Sequence, residues 1–129
     1  MKQHVKCFSV RHEYLEMIKK GTKTIEVRVA SKYFQDIKEG DILLLYDGYT
    51  NIIKARVKKV DYYLNFDDLF DDKNYEDVMP NASSKEKVID KLREIYGERE
   101  NLGVIAIELE VLDYIWEEEK KVEKCKEST

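Results

Sequence analysis

Three side chains with chemistry to offer fall close together: Lys23, Glu26 and Arg28, within Gly21-Thr22-Lys23-Thr24-Ile25-Glu26-Val27-Arg28. A lysine in this setting can contact phosphate or a substrate carbonyl. Partly buried, it loses pKa and can act as a base. Arginine can hold a phosphate or a base edge, and glutamate can accept from a base amino group or serve as acid or base. Two apart on a strand, Glu26 and Arg28 share a face and can form an ion pair. The plain alternative is a salt bridge on a wet strand face beside a solvated surface lysine. Strict alternation puts Lys23 and Glu26 on opposite faces. They converge only if Lys23 lies in the turn before the pleat begins, or if the strand twists.

Other candidates are thinner. His4 and His12 have no Ser or Cys nucleophile beside them, and His12 reads as a helix-start residue, capping or exposed. Cys7 fits a strand core better than a nucleophile. Asp67, Asp68, Asp71 and Asp72 lack the alternation and the glycine of a calcium loop, so they read as a solvated acidic surface. Ser83 and Ser84 are best explained as helix caps, and there is no glycine-rich phosphate loop. Of the nine tyrosines, most sit where a small core would pack them. Tyr46, beside Asp47-Gly48, is the best candidate for a pocket wall that stacks a base. Lys6 is a further cation that could assist Lys23 and Arg28.

These residues need elements to hold them. Lys2 to Val10 reads as a strand, with Val5 and Cys7 on one face and Lys6, Phe8 and Val10 on the other. Arg11 to Lys20 reads as a helix with an apolar face of Tyr14, Leu15 and Ile18, ended by Gly21. Thr22 to Ala30 reads as a strand with Ile25 and Val27 facing one way and Thr24, Glu26 and Arg28 the other. Lys32 to Lys38 suggests a helical turn. Ile42 to Tyr46 is continuously apolar, as in a strand buried on both sides. Asp47-Gly48 signals a hairpin, returning through a long strand, Ile52 to Tyr63, with one wet face. Short helical turns are expected around Phe66, Leu69 and Phe70. Ser83-Ser84-Lys85-Glu86 is a capping-box pattern for a helix to about Tyr96. Leu102 to Ile115 is a last strand. The order predicts an α+β fold: a mixed or antiparallel sheet of about five or six strands, curled into a small barrel and flanked by helices.

A chain of 129 residues fits one domain with a useful core. It has no apolar run of about 18 residues, so no membrane span is expected. Met1-Lys2-Gln3-His4 leads directly into a strand-like pattern and not into a signal peptide, and a cytoplasmic protein is expected. Cys7 and Cys125 lack metal spacing. The net charge of −4 hides an asymmetry: residues 1–60 hold 13 Lys and Arg against 7 Asp and Glu, and residues 61–129 hold 10 against 20. A basic first half can present a local positive patch although the whole is acidic.

Gly21-x-Lys23-x-x-Glu26-x-Arg28, preceded by Glu13-Tyr14-Leu15-Glu16-Met17-Ile18 and followed by Lys38-Glu39-Gly40-Asp41, resembles the ASCH (activating signal cointegrator homology) domain, in its small stand-alone prokaryotic form. The resemblance continues through Val78-Met79-Pro80, the helix ending Ile95-Tyr96, and Gly103-Val104-Ile105-Ala106-Ile107. It implies a PUA-like β-barrel domain over residues 4–115, with 116–129 as a charged tail. It also implies a cleft beside the first helix and second strand, lined by the motif residues. The implied business is binding RNA or handling modified nucleosides. In a binding module Lys23 and Arg28, with help from Lys6 or Tyr46, would hold the ligand, and Glu26 would read a base or orient Arg28; no cofactor, metal or membrane is expected. Some small members hydrolyse N4-acetylcytidine with a lysine at the position of Lys23. They carry a Thr where this chain has Glu26, and a further Glu for which Glu76 is the nearest candidate here. Ribonuclease activity is also associated with the family. The alternatives are therefore an amidohydrolase with Lys23 and Glu26 as its catalytic groups, and a protein-interaction domain working through the acidic second half.

Overall fold

Alternating apolar and charged residues from Ile52 onward make the longest hairpin of the protein. In the computed structural model, which describes residues 4–48 and 50–116, β4 (Ile52–Tyr63) pairs antiparallel with β5 (Val104–Ile115) along nearly their whole length. Ile53, Ala55 and Val57 point into the core, and Lys54, Arg56 and Lys58 stay exposed. Register shifts between Lys54 and Ala55 and between Val57 and Lys59 bend the hairpin. Long twisted strands bent in this way curl the sheet.

The sheet order is β1-β3-β4-β5-β2, with β1 at Val5–Ser9, β2 at Ile25–Val29 and β3 at Ile42–Tyr46. Only β1 and β3 run parallel; every other pairing is antiparallel, so the sheet is mixed. It forms a curled half-barrel with β1 and β2 as its two edges. The α+β fold with a barrel-like, helix-flanked sheet is thus the one expected, with five strands.

The helices follow their local signals. α1 (His12–Lys20) buries Tyr14, Leu15 and Ile18, and Gly21 ends it at φ 85°, a conformation open to glycine. α2 (Phe66–Asp72) and α3 (Tyr75–Val78) start on Asn65 and Asn74, whose side chains accept from Asp68 N and Glu76 N. α4 (Lys85–Tyr96) starts on Ser84, which accepts from Lys87 N at 3.2 Å. The stretch expected as a helical turn from Lys32 to Lys38 forms one, with Phe34 N and Gln35 N both donating to Ser31 O, and does not extend into a longer helix. The charged tail lies outside the described residues, apart from Trp116, which is buried.

One expectation changes in a way that matters for the site. β2 has no wet face: Ile25, Glu26, Val27 and Val29 are all buried. Its core face lies on the barrel interior, and the Glu26 face is covered by segments far along the chain, including Val78 and Met79 and the face of α4 that carries Leu92 and Tyr96.

Candidate functional site

The end of α1 decides where Lys23 goes. After Gly21, both Thr22 N and Lys23 N donate to Met17 O, at 3.0 and 3.2 Å, which wraps the chain over the helix terminus. Thr24 N donates to Asp77 O, and the β2 ladder begins only at Ile25. Lys23 therefore precedes the pleat, and its side chain turns to the same side as Glu26. Lys23 Nζ stands 3.2 Å from Glu26 Oε1, and Arg28 Nε donates to Glu26 Oε2 at 2.6 Å. Glu26 is held between two cations, each on its own oxygen.

Lys23 and Glu26 are 5% and 6% exposed, so the pair is a buried one. Lys23 Nζ also donates to Ile25 O at 2.8 Å and to Val78 O at 2.7 Å. Three acceptors surround an ammonium that has three protons to give. Burial pulls the Lys23 pKa below its ordinary value against the pull of Glu26. The three acceptors nevertheless require the charged form, because a neutral amine would leave one of them without a proton. Burial pushes the Glu26 carboxyl up, but Lys23 and Arg28 outweigh it and hold the pKa below the ordinary carboxylate range.

Arg28 reaches across the open side of the half-barrel. Its Nη2 donates to Ser9 O at 2.9 Å, joining edge strand β2 to the end of edge strand β1. The guanidinium carbon lies 4.6 Å from the Phe8 ring centre and 5.2 Å from that of Phe34, in cation–π range. Burial lowers its pKa, but Glu26 outweighs that and raises it. Of its five N–H groups, the bonds to Glu26 and Ser9 engage two.

Lys23, Glu26 and Arg28 line one cavity of about 220 Å³. Tyr14 of α1 and Leu92, Ile95 and Tyr96 of α4 close it, with Val78 and Met79 on a further side. Burial raises the Tyr96 pKa against the opposing pull of Arg28, so its phenol keeps its proton near neutrality and is available as a donor. By area the wall is more apolar than polar.

Lys6 and Tyr46 lie away from this cavity. Lys6 bonds Asp36 at 2.6 Å and Tyr33 O, and sits over the Tyr33 ring. Tyr46 is exposed at the end of β3, on the face opposite Leu43 and Leu45. Glu76 is exposed at the start of α3 and does not line the cavity either. Among the lining residues Glu26 is the one carboxylate. His12, expected to cap or to be exposed, meets Asp47 Oδ2 at 2.7 Å and stacks on Trp116. Among the described residues no three His, Cys, Asp or Glu side chains gather as metal ligands. Sequence reasoning missed Ser9, Arg11, Tyr14 and Tyr96. Tyr14 and Tyr96 fell in apolar helical stripes that read as core.

The sequence profile of the ASCH domain matches residues 8–113, from β1 to near the end of β5. This chain belongs to the ASCH domain family. Two solved structures are similar at the level of sequence. The hypothetical protein PH0355 is 34% identical, with a TM-score of 0.77 over 84% of this chain and 99% of that one. The protein PF0455 from Pyrococcus furiosus is 33% identical, with a TM-score of 0.68 over 88% and 100%. The ASCH protein from Zymomonas mobilis shares the fold at 15% identity, with a TM-score of 0.60 over 85% and 72%. No curated protein matches the chain. The ASCH profile takes in every residue named above around the cavity.

Proposed function

We propose that this ASCH domain binds a nucleoside unit, either a single base of an RNA or a free modified nucleoside, in the cavity between α1, β2 and α4. The supporting observation is the pairing of Glu26 and Arg28 in the wall of a mostly apolar chamber. The carboxylate has lone pairs for a base amino group, and the guanidinium has unspent donors for ring nitrogens or carbonyls. The cavity is smaller than the roughly 300–1,000 Å³ of drug-sized sites, which suits one flat ring system. The aromatic rings of Tyr14 and Tyr96 offer stacking surfaces at its walls.

A thermal-shift panel of nucleosides and short RNAs tests the reading. Stabilisation by at least one of them, lost in Arg28→Ala, is the expected result. No shift with any, at low salt, removes the reading and leaves a protein-binding role for the acidic second half.

A second reading is favoured by the contact of Lys23 with Glu26 beside the cavity: an amidohydrolase acting on an N4-acetylcytidine-type nucleoside. In this reading Glu26 carries the proton to the leaving amine. Lys23 is a poor base while its three protons are all engaged, so it serves this reaction only by orienting Glu26. Chromatography of N4-acetylcytidine incubated with the protein checks it: an unchanged substrate peak ends the enzymatic reading and leaves the binding one in place.

A further inference from the structure

Two further cations stand near the cavity, Arg11 in its lining and Lys91 beside Tyr14. Arg11 is exposed and lines the cavity where the chain leaves β1 for α1. Lys91 lies one turn before Ile95 on α4, on the same side of the helix as that lining residue. Its Nζ stands 5.9 Å from the centre of the Tyr14 ring, the ring that Lys23 Nζ approaches to 5.7 Å from within. Among the described residues neither Arg11 nor Lys91 is held by a carboxylate.

The local balance of charge is therefore unlike that of the whole chain. Arg11, Lys23 and Arg28 line a cavity with one lining carboxylate, Glu26, in a protein of net charge −4, and Lys91 stands beside its Tyr14 wall. The inner three charges largely satisfy one another, as Lys23 and Arg28 are both bound to Glu26. The outer two are free to act on a ligand. Low-dielectric walls, here Val27, Met79 and Leu92, concentrate such a field at the opening. A flat apolar body with an anionic end fits this arrangement. Arginine takes phosphate oxygens through its fork, and lysine takes them as a point charge.

Resting on the nucleoside reading above, we infer that the bound nucleoside carries a phosphate, held between Arg11 and Lys91. The phosphate belongs either to a free nucleotide or to an RNA strand, since both present the same group next to the ring.

Calorimetric titration of the full chain with the four nucleosides, N4-acetylcytidine and the 5′-monophosphates of all five, across a salt series, is the test. The best monophosphate binds about 10-fold or more tighter than its nucleoside at low salt, and the ratio shrinks as salt rises. The double variant Arg11→Gln/Lys91→Gln loses that ratio. Lys54→Gln/Lys58→Gln, which removes equal charge from the exposed face of β4, keeps it. Equal affinity of nucleoside and monophosphate overturns the phosphate inference while leaving the nucleoside reading standing. Absence of binding by both overturns the two together. A preference that survives the Arg11/Lys91 variant, or vanishes in the Lys54/Lys58 variant, overturns the assignment to these residues. A short RNA with the same base inside it separates the sources: tighter binding than the monophosphate points to a strand, weaker binding to a free nucleotide.

Discussion

Lys23 and Glu26 meet at 3.2 Å although three residues separate them on what reads as one strand. The contact exists because the chain is wrapped over the end of α1 until Ile25, so that Lys23 is not part of the pleat. The result is a buried ion pair whose lysine is also tied to Ile25 O and Val78 O. Lys23 thus binds β2 to the C-terminus of α3, and the floor of the cavity depends on it.

Replacing Lys23 by Met is expected to cost roughly 3–5 kcal/mol, the loss typical of removing one partner of a buried pair. Two carbonyls and one carboxylate oxygen would lose their donor at once. Urea unfolding reads the loss. A cost below about 1 kcal/mol would mean that water reaches these acceptors and that Lys23 is free for chemistry.

The acid limb of stability carries the signature of Glu26. Its folded pKa lies below the ordinary 4.5, so its contribution is fully present above that value and is lost as pH falls through the folded value. Wild type is expected to exceed Glu26→Gln in urea midpoint at pH 6, with the gap narrowing steadily towards pH 3. A gap that stays constant over that range contradicts the paired carboxylate.

Arg28→Lys keeps the charge and removes the fork. A lysine cannot hold Glu26 and Ser9 O in the same geometry while also staying in cation–π range of both Phe8 and Phe34. The expected loss is about 1.5–3 kcal/mol of stability, the worth of a charge-assisted hydrogen bond. Because Arg28 also bridges β1 to β2, amide hydrogen exchange should quicken in those two edge strands before it does in β4. Uniform exchange across the sheet would mean that the bridge does not hold the seam.

Tyr96→Phe removes one phenol and little volume. Burial keeps that phenol protonated, and the ring lines the cavity. Ligand affinity is expected to fall about 2- to 10-fold, the worth of one neutral hydrogen bond, with the melting temperature nearly unchanged. Calorimetry on both proteins measures it. Equal affinities would restrict Tyr96 to packing.

Much of this was legible in the chain, for local reasons. Helical spacing announced α1 and α4, Gly21 marked the end of one, and Ser84 the start of the other. Period-two alternation announced β4. The residue types of the motif were legible too, but their burial was not. The cover over Glu26 comes from Val78, Met79, Leu92 and Tyr96, more than 50 residues away, and no short-range pattern records that packing. Tyr46 went to the outer face because Leu43 and Leu45 take the inner one, and the unbroken run Ile42 to Tyr46 conceals that parity. Lys6 shares its parity with Phe8, yet Asp36 and the Tyr33 carbonyl draw it away from the cavity. Both depend on a turn whose course alternation does not encode.

The proposed occupancy of the cavity between α1, β2 and α4 by a nucleoside unit can be observed directly. A backbone-amide NMR titration with the best-stabilising nucleoside or nucleotide of the panel tests it most directly. The saturable shifts are expected to cluster at Tyr14, Glu26, Arg28, Met79 and Tyr96 and to disappear in Arg28→Ala. Shifts that fall instead on the exposed face of β4, or that never saturate, would contradict it.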